Sequence, residues 1–246
     1  FLFYLENLKA KKKKIVELKA KQIIVARDFD NLKEAEEVLN QLDPSLYRVK
    51  VGSQLFTSEG PKVIKHLNSL GFEVFLDLKF HDIPNTVYKA LNKTFEIGVW
   101  MTNVHLLGGS DMLKAAYKAK LDSNREVKLI GVSILTSLSN EDLSHLGFDI
   151  TLDNLVSDLS RQAFENNFDG VVCSVGDVKR VKENTSKEFI TVTPGIRIKQ
   201  KLQDQSRVFT LEEALKEGAD FVVLGRELTQ SDNPSKMLKE IESYII

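Results

Sequence analysis

Phe75–Thr86 reads FLDLKFHDIPNT and passes from a strand to a helix within one short stretch. The run Glu73–Leu78 is mostly apolar and suits a strand, while Pro84 lacks a backbone N–H and suits the first turn of a helix. The same alternation repeats outward in both directions. Before it come strands at Ile23–Ala26 and Tyr47–Val51. A helix capped by Asp30 or Asn31 is expected to run to Leu42, and Pro61 opens another that ends near Gly71. After it come strands at Met101–His105, Leu129–Ile134, Gly170–Cys173, Phe189–Val192 and Phe221–Leu224. Helices are expected from GGSD to about Leu121, over Leu152–Asn167, and over Pro234–Tyr244. Strands separated by helices pair in parallel, because parallel neighbours need a crossover. Eight such units favour closure, so the fold class is α/β, a single (β/α)8 TIM barrel over residues 22–246. The long segments Leu135–Thr151 and Pro194–Val208 read as binding loops or lids.

The totals agree with that frame. A 246-residue chain with 42% hydrophobic residues can bury one sizeable core, and no linker divides it. The formal net charge of −1 lacks the basic excess of a nucleic-acid binder, so any anion site must be local. The one cysteine, Cys173, excludes an internal disulfide; in the apolar run GVVCSV it reads as a small buried hydrophobe and fits a reducing cytoplasm. Residues 1–21 read as a basic, helical extension. Phe1 in place of methionine is expected of a sequence that lacks its first residues. The apolar Phe1–Leu5 precedes the run Lys11–Lys14, the reverse of a secretory signal, and the lysines read as a solvated helix face. No stretch approaches the length of a membrane span, so no membrane partner is expected.

In barrels of this kind chemistry lies at the C-terminal ends of the strands. Side chains alternate along a strand, so Asp77 and Lys79 share one face and Leu76 and Leu78 the other. The leucines can pack on outer helices while the charged pair enters the barrel mouth. Asp82 follows in the turn, within reach of the same lysine, and Lys50 in RVKVG lies on the neighbouring strand. A buried ion-pair network is the structural alternative, but its desolvation is costly and a barrel mouth does not need one. Two anionic neighbours favour a protonated Lys79, whereas an imine-forming lysine needs a free amine. Lys79 therefore suits a proton donor that stabilises negative charge on carbon.

A second group suits phosphate. TPGIR (Thr193–Arg197) follows the seventh strand and LGR (Leu224–Arg226) the eighth, where barrels often bind phosphate. Gly225 admits close approach to backbone N–H groups, and Arg226 can grip an oxyanion with two bonds. Arg197 and Gln205 can close over the anion. Asp28, after the first strand, suits either a ribose hydroxyl or a helix N-cap. Thr136 suits either a base contact or a structural loop role. His81 and His105 sit at strand ends without metal-ligand spacing; His105 is expected as a hydrogen-bonded barrel-end residue, and no metal site is expected. Ser133 and Ser174 lack the context of a triad.

These residues resemble a known family. FLDLKFHDIPNTV resembles the signature of the orotidine 5'-phosphate decarboxylases. VKVG, NVHLLGG, GVVCS, TVTPGIR and VLGR are similar to that family's other segments in the same order, from Ile23 to the final helix. The DxKxxD core alone is shared with related sugar-phosphate enzymes; with HDIPNT and TPGIR it is far more specific. The resemblance implies decarboxylation of orotidine 5'-phosphate to UMP and CO₂, the last step of de novo pyrimidine synthesis, with neither metal nor organic cofactor. It implies that Lys79 gives the proton to pyrimidine C6, with Asp77 beside the leaving carboxylate and Lys50 hydrogen-bonded to it. It implies a homodimer with active sites at the interface, to which Asp82 and Thr86 contribute. Asp28 and Lys50 match ribose contacts, Thr136 a base contact, and Arg197, Gln205, Gly225 and Arg226 the phosphate grip. Ile83 and Pro194 complete the substrate-binding set. The first strand departs from the family pattern: Arg27 stands in Ala26-Arg27-Asp28 where an apolar residue is usual. The rival readings are a Mg²⁺-dependent sugar-phosphate decarboxylase or hexulose-phosphate synthase on a similar strand, and a non-catalytic nucleotide-binding barrel.

Overall fold

The structure, a computed structural model, describes residues 18–27, 32, 36, 39–198, 209–229, 231 and 233–244. The strands are β1 (Ile23–Arg27), β2 (Tyr47–Gly52), β3 (Val74–Phe80), β4 (Met101–His105), β5 (Lys128–Val132), β6 (Gly170–Val172), β7 (Ile190–Arg197), β8 (Phe209–Thr210) and β9 (Phe221–Leu224). All pairings are parallel. β1 to β6 lie side by side in chain order, β6 pairs with β7, β7 with β9, and β9 with β1, which closes an eight-membered ring. The two-residue β8 is an addition to the edge of β7. The expected (β/α)8 barrel is thus the observed one.

Helices α1 (Ser53–Glu59) and α2 (Lys62–Ser69) follow β2, and α3 (Pro84–Glu96) follows β3. They are succeeded by α4 (Gly109–Ser123), α5 (Asn140–His145), α6 (Leu152–Glu165), α7 (Val178–Asn184), α8 (Leu211–Lys216), α9 (Arg226–Thr229) and α10 (Pro234–Glu242). Each longer helix turns an apolar stripe to the strands: Val63, Ile64 and Leu67 from α2, and Val87, Leu91 and Phe95 from α3. The helix expected from residue 30 or 31 lies mostly outside the described residues, although Leu32, Glu36 and Leu39 are helical. The expected basic extension lies outside them up to residue 17. Leu18, at its far end, is fully buried, and its N–H donates to the carbonyl of Tyr244 at 3.0 Å.

Several element boundaries differ from expectation for local reasons. Gly60, with φ of 63°, splits the helix region after β2 in two, leaving Pro61 to open the second. The expected loop 135–151 contains α5, because Ser139 and Asp142 cap each other's backbone N–H groups. β7 does not stop at Val192; it continues to Arg197 through a register shift between Thr193 and Ile196, where Gly195 takes φ of 77°.

The core has two parts. The larger lies between strands and helices; the smaller fills the barrel with Ile24, Ala26, Phe75, Met101, Ile130, Val192 and Val223. At the lower end, Arg48 stacks 3.9 Å from the Trp100 ring centroid, and its Nε donates to Glu73 at 2.6 Å. Two matching staples hold that rim. Asp169, before β6, accepts from the Leu129 N–H on β5 and from Lys120 of α4. Asp220, before β9, accepts from the Thr191 N–H on β7 and from Lys182 of α7. With the lower end filled and pinned, open space remains at the C-terminal ends of the strands.

Gly170 on β6 leaves no room for a side chain against β7: a Cβ there would overlap the Ile190 carbonyl oxygen and sit 2.6 Å from the Ile190 Cβ. Backbone cannot rotate away as a side-chain tip can. Gly170→Ala is therefore expected to destabilise the fold by about 3 kcal/mol, read as a lowered urea midpoint.

Candidate active site

β2 supplies the first charged group. Tyr47, Val49 and Val51 face outward and are fully buried, so Lys50 faces the barrel interior, in register with Ala26 on β1 and Phe75 on β3. On β3, Phe75 fills the interior and Leu76 and Leu78 pack outward. Asp77 comes next on the inner face and is only 9% exposed. Lys50 Nζ lies 3.2 Å from Asp77 Oδ2, and Lys79 Nζ lies 2.7 Å from Asp77 Oδ1.

Lys79 is not reached by plain alternation. Leu76 pairs with Thr102 and Phe80 with Val104, so four steps along β3 answer two along β4. Within that excess Lys79 adopts φ of 51°, a left-handed conformation that costs a non-glycine residue about 1–2 kcal/mol. Asn103 of β4, fully buried, compensates. Its Oδ1 accepts from the Lys79 backbone N–H at 2.8 Å, and its Nδ2 donates to Asp77 Oδ1 at 2.7 Å. Sequence reading did not single out Asn103. The signal was present: in MTNVH the inward positions are Met101, Asn103 and His105, and a buried amide facing a charged strand needs partners there.

Burial pushes the Asp77 carboxyl up, but Lys50, Lys79 and the hydrogen bonds from Lys79 and Asn103 outweigh it, so the group titrates below the ordinary carboxylate range. His81 and His105 stack with centroids 5.3 Å apart. Burial, then His81 and Lys79, hold the His105 imidazole below its usual range. The Nδ1 of His105 is buried with no hydrogen-bond partner. Cys173 is buried and burial pushes its thiol up, in keeping with an inert side chain.

Lys50, Asp77, Lys79, Thr136 and Pro194 meet around one cavity of about 210 Å³ floored by Phe75, Val192 and Val223. Asp82 does not join them. It is exposed, its Oδ1 accepts from the neighbouring Ile83 N–H at 2.7 Å, and among the described residues no ion pair links it to Lys79. Among the described residues the aspartate ion-paired with Lys79 is Asp77. Ile83 is 66% exposed and Thr86 is exposed in the first turn of α3, and neither lines the cavity. Arg197 ends β7 rather than lying in a loop, beside the β9 end that leads to Gly225. A Cβ at Gly225 would meet only Ala26 Cβ, at 3.9 Å, so the chain's own packing does not demand glycine there. Arg226 begins α9, but its side chain lies outside the described residues, as do Arg27's side chain and all of Asp28 and Gln205. Among the described residues no three His, Cys, Asp or Glu side chains converge as a metal site would require.

Residues 21–241 match the family described as Orotidine 5'-phosphate decarboxylase / HUMPS. The chain is 47% identical to the orotidine 5'-phosphate decarboxylase of Saccharophagus degradans, over 89% of this chain and 93% of that protein. It is 46% identical to the one from Legionella pneumophila strain Corby, over 89% and 97%. The crystal structure of orotidine 5'-phosphate decarboxylase from Lactobacillus acidophilus superposes with a TM-score of 0.80 at 36% identity, over 90% of this chain and 97% of that one.

The charge state of Asp77 has a thermodynamic signature. Its folded pKa lies below the ordinary 3.8, so its stabilisation is complete above that value and is lost as pH falls through the folded one. The stability difference between wild type and Asp77→Asn should stay flat from about pH 7 to about pH 5 and change below about pH 4. Denaturant titrations across that range give the answer, and a slope confined to the neutral region would contradict the charge assignment.

Proposed function

The chain belongs to the orotidine 5'-phosphate decarboxylase / HUMPS family, and on that premise we propose that it converts orotidine 5'-phosphate to UMP and CO₂ in pyrimidine biosynthesis. The observation that carries the reading is the buried Asp77 carboxylate, held between Lys50 and Lys79 at the edge of a largely apolar cavity. The pyrimidine occupies that cavity with its carboxylate toward Asp77. Two carboxylates in a poorly hydrated site repel, and departure of neutral CO₂ moves the substrate's negative charge from the carboxylate to C6, where the Lys79 proton neutralises it. The C6–carboxylate bond breaks and its electron pair stays on C6. The Lys79 ammonium stabilises that charge and then donates one proton to C6; the amine regains a proton from solvent.

Binding distant from the reacting carbon holds the base in place. Thr136 and Pro194 contact the base, Asp28 and Lys50 the ribose, and Arg197, Gln205, Gly225 and Arg226 the phosphate. The reading also includes a homodimer. Its support is the exposed run His81–Thr86, which holds Asp82, Ile83 and Thr86 outside their own chain's cavity. A second copy can bring them to the Lys79 of its partner and complete the alternation of charges. A cytoplasmic location is supported by the single, unpaired Cys173.

The decisive assay follows loss of orotidine 5'-phosphate absorbance with EDTA present. Turnover should persist in EDTA and fall by at least about a thousandfold in Lys79→Ala. Sensitivity to EDTA would favour a Mg²⁺-dependent sugar-phosphate enzyme, and near-normal turnover by the variant would remove Lys79 from the mechanism. The dimer has its own test. Lys79→Ala and Asp82→Ala should each be inactive alone, while an equal mixture, after exchange of subunits, should recover about a quarter of wild-type activity from hybrid sites. A mixture that stays inactive would place Asp82 outside the partner's site.

A further inference from the structure

One buried amide touches both members of the catalytic pair. We propose that Asn103 is a positioning residue for the reaction, setting the Lys79 backbone and the Asp77 carboxylate with a single side chain. The inference rests on the roles proposed above for Lys79 and Asp77. The orientation of the amide is fixed by chemistry: the Lys79 N–H can only donate, so it faces Oδ1, and the ionised carboxylate can only accept, so it faces Nδ2. Asn103 is fully buried and does not line the cavity, so it acts through its neighbours and not on the substrate.

The geometry makes Asn103 more than a brace for the fold. Asp77 Oδ1 receives Asn103 Nδ2 and Lys79 Nζ, each at 2.7 Å, while Oδ2 faces Lys50 at 3.2 Å. When Lys79 turns to deliver its proton, Oδ1 loses one of its two donors. The amide bond stays and keeps the carboxylate ionised and aimed. The same side chain anchors the left-handed residue from which the proton-donating arm extends. Two residues along β4, His105 stacks on His81, two residues beyond Lys79, so β4 holds the irregular end of β3 at successive inward positions.

Two substitutions test this. Asn103→Leu keeps the branched shape and removes both bonds; kcat per folded enzyme should fall about 10- to 100-fold with KM within about threefold of wild type. Asn103→Asp puts a second carboxyl against Asp77 Oδ1. At about pH 8 it should be repelled and kcat should fall similarly, but at lower pH a protonated carboxyl can donate to Asp77 while still accepting from the Lys79 N–H. The deficit of Asn103→Asp relative to wild type should therefore shrink by at least about fivefold between about pH 8 and about pH 5.5, and that of Asn103→Leu should not. Wild-type kcat in both variants, parallel pH profiles, or losses confined to KM would overturn the proposal. Failure of both variants to fold, judged by circular dichroism, would assign Asn103 to the framework and overturn it too. Lys79→Ala run alongside separates the two levels: if it retains turnover, the proposed catalytic site is wrong, and if it is inactive while the Asn103 variants are normal, only the positioning role is wrong.

Discussion

A carboxylate withdrawn from water inside a barrel is the constraint from which the rest of this molecule can be followed. Removing such a charge from solvent costs several kcal/mol unless it is paired and hydrogen-bonded. Asp77 meets that requirement with Lys50 on one oxygen and with Lys79 and Asn103 on the other. Each partner comes from a different place: Lys50 from the inner face of β2, Lys79 from the irregular end of β3, and Asn103 from β4. Three adjacent strands must hold their relative register for the carboxylate to remain charged. The charge in turn holds a lysine where negative charge on carbon would develop.

The barrel provides that register by concentrating its stabilising contacts at the other end. Arg48 between aromatic rings, and the Asp169 and Asp220 staples, bind helices to strands at the lower rim. Nothing in these contacts requires the upper rim to be regular. β3 can carry extra residues and a left-handed lysine there, and β7 can bend through Gly195, because neither departure is needed to hold the ring closed. Irregular backbone lies where the chemistry does.

The fold was legible because its signals are periodic. Apolar strand runs separated by helix-starting prolines and glycines gave the eight units, and alternation along Phe75-Leu76-Asp77-Leu78 gave the correct inward and outward faces. Thr136 and Pro194 were legible as polar or turn residues after strands, and both line the cavity. What escaped depends on pairing between strands. A register shift cannot be read from one strand alone, so neither the Lys79 conformation nor the role of Asn103 was visible in FLDLKFHDIPNT. Counting residues puts Asp82 close to Lys79, but in the turn its carboxylate accepts from the adjacent Ile83 N–H and is exposed. α5 is short and lies within a polar segment, so its signal is the Ser139 and Asp142 capping pair rather than any apolar periodicity.

The interior position of Cys173 has a practical consequence. Its sulfur sits behind the barrel wall, fully enclosed, and the sequence contains no other thiol. Burial disfavours the thiolate on which alkylation depends. The native chain is therefore almost silent toward maleimide dyes. A single cysteine introduced on an exposed position of α3 or α5 would take up label alone, so fluorescence could report subunit exchange and movement over the cavity mouth without prior removal of a native residue.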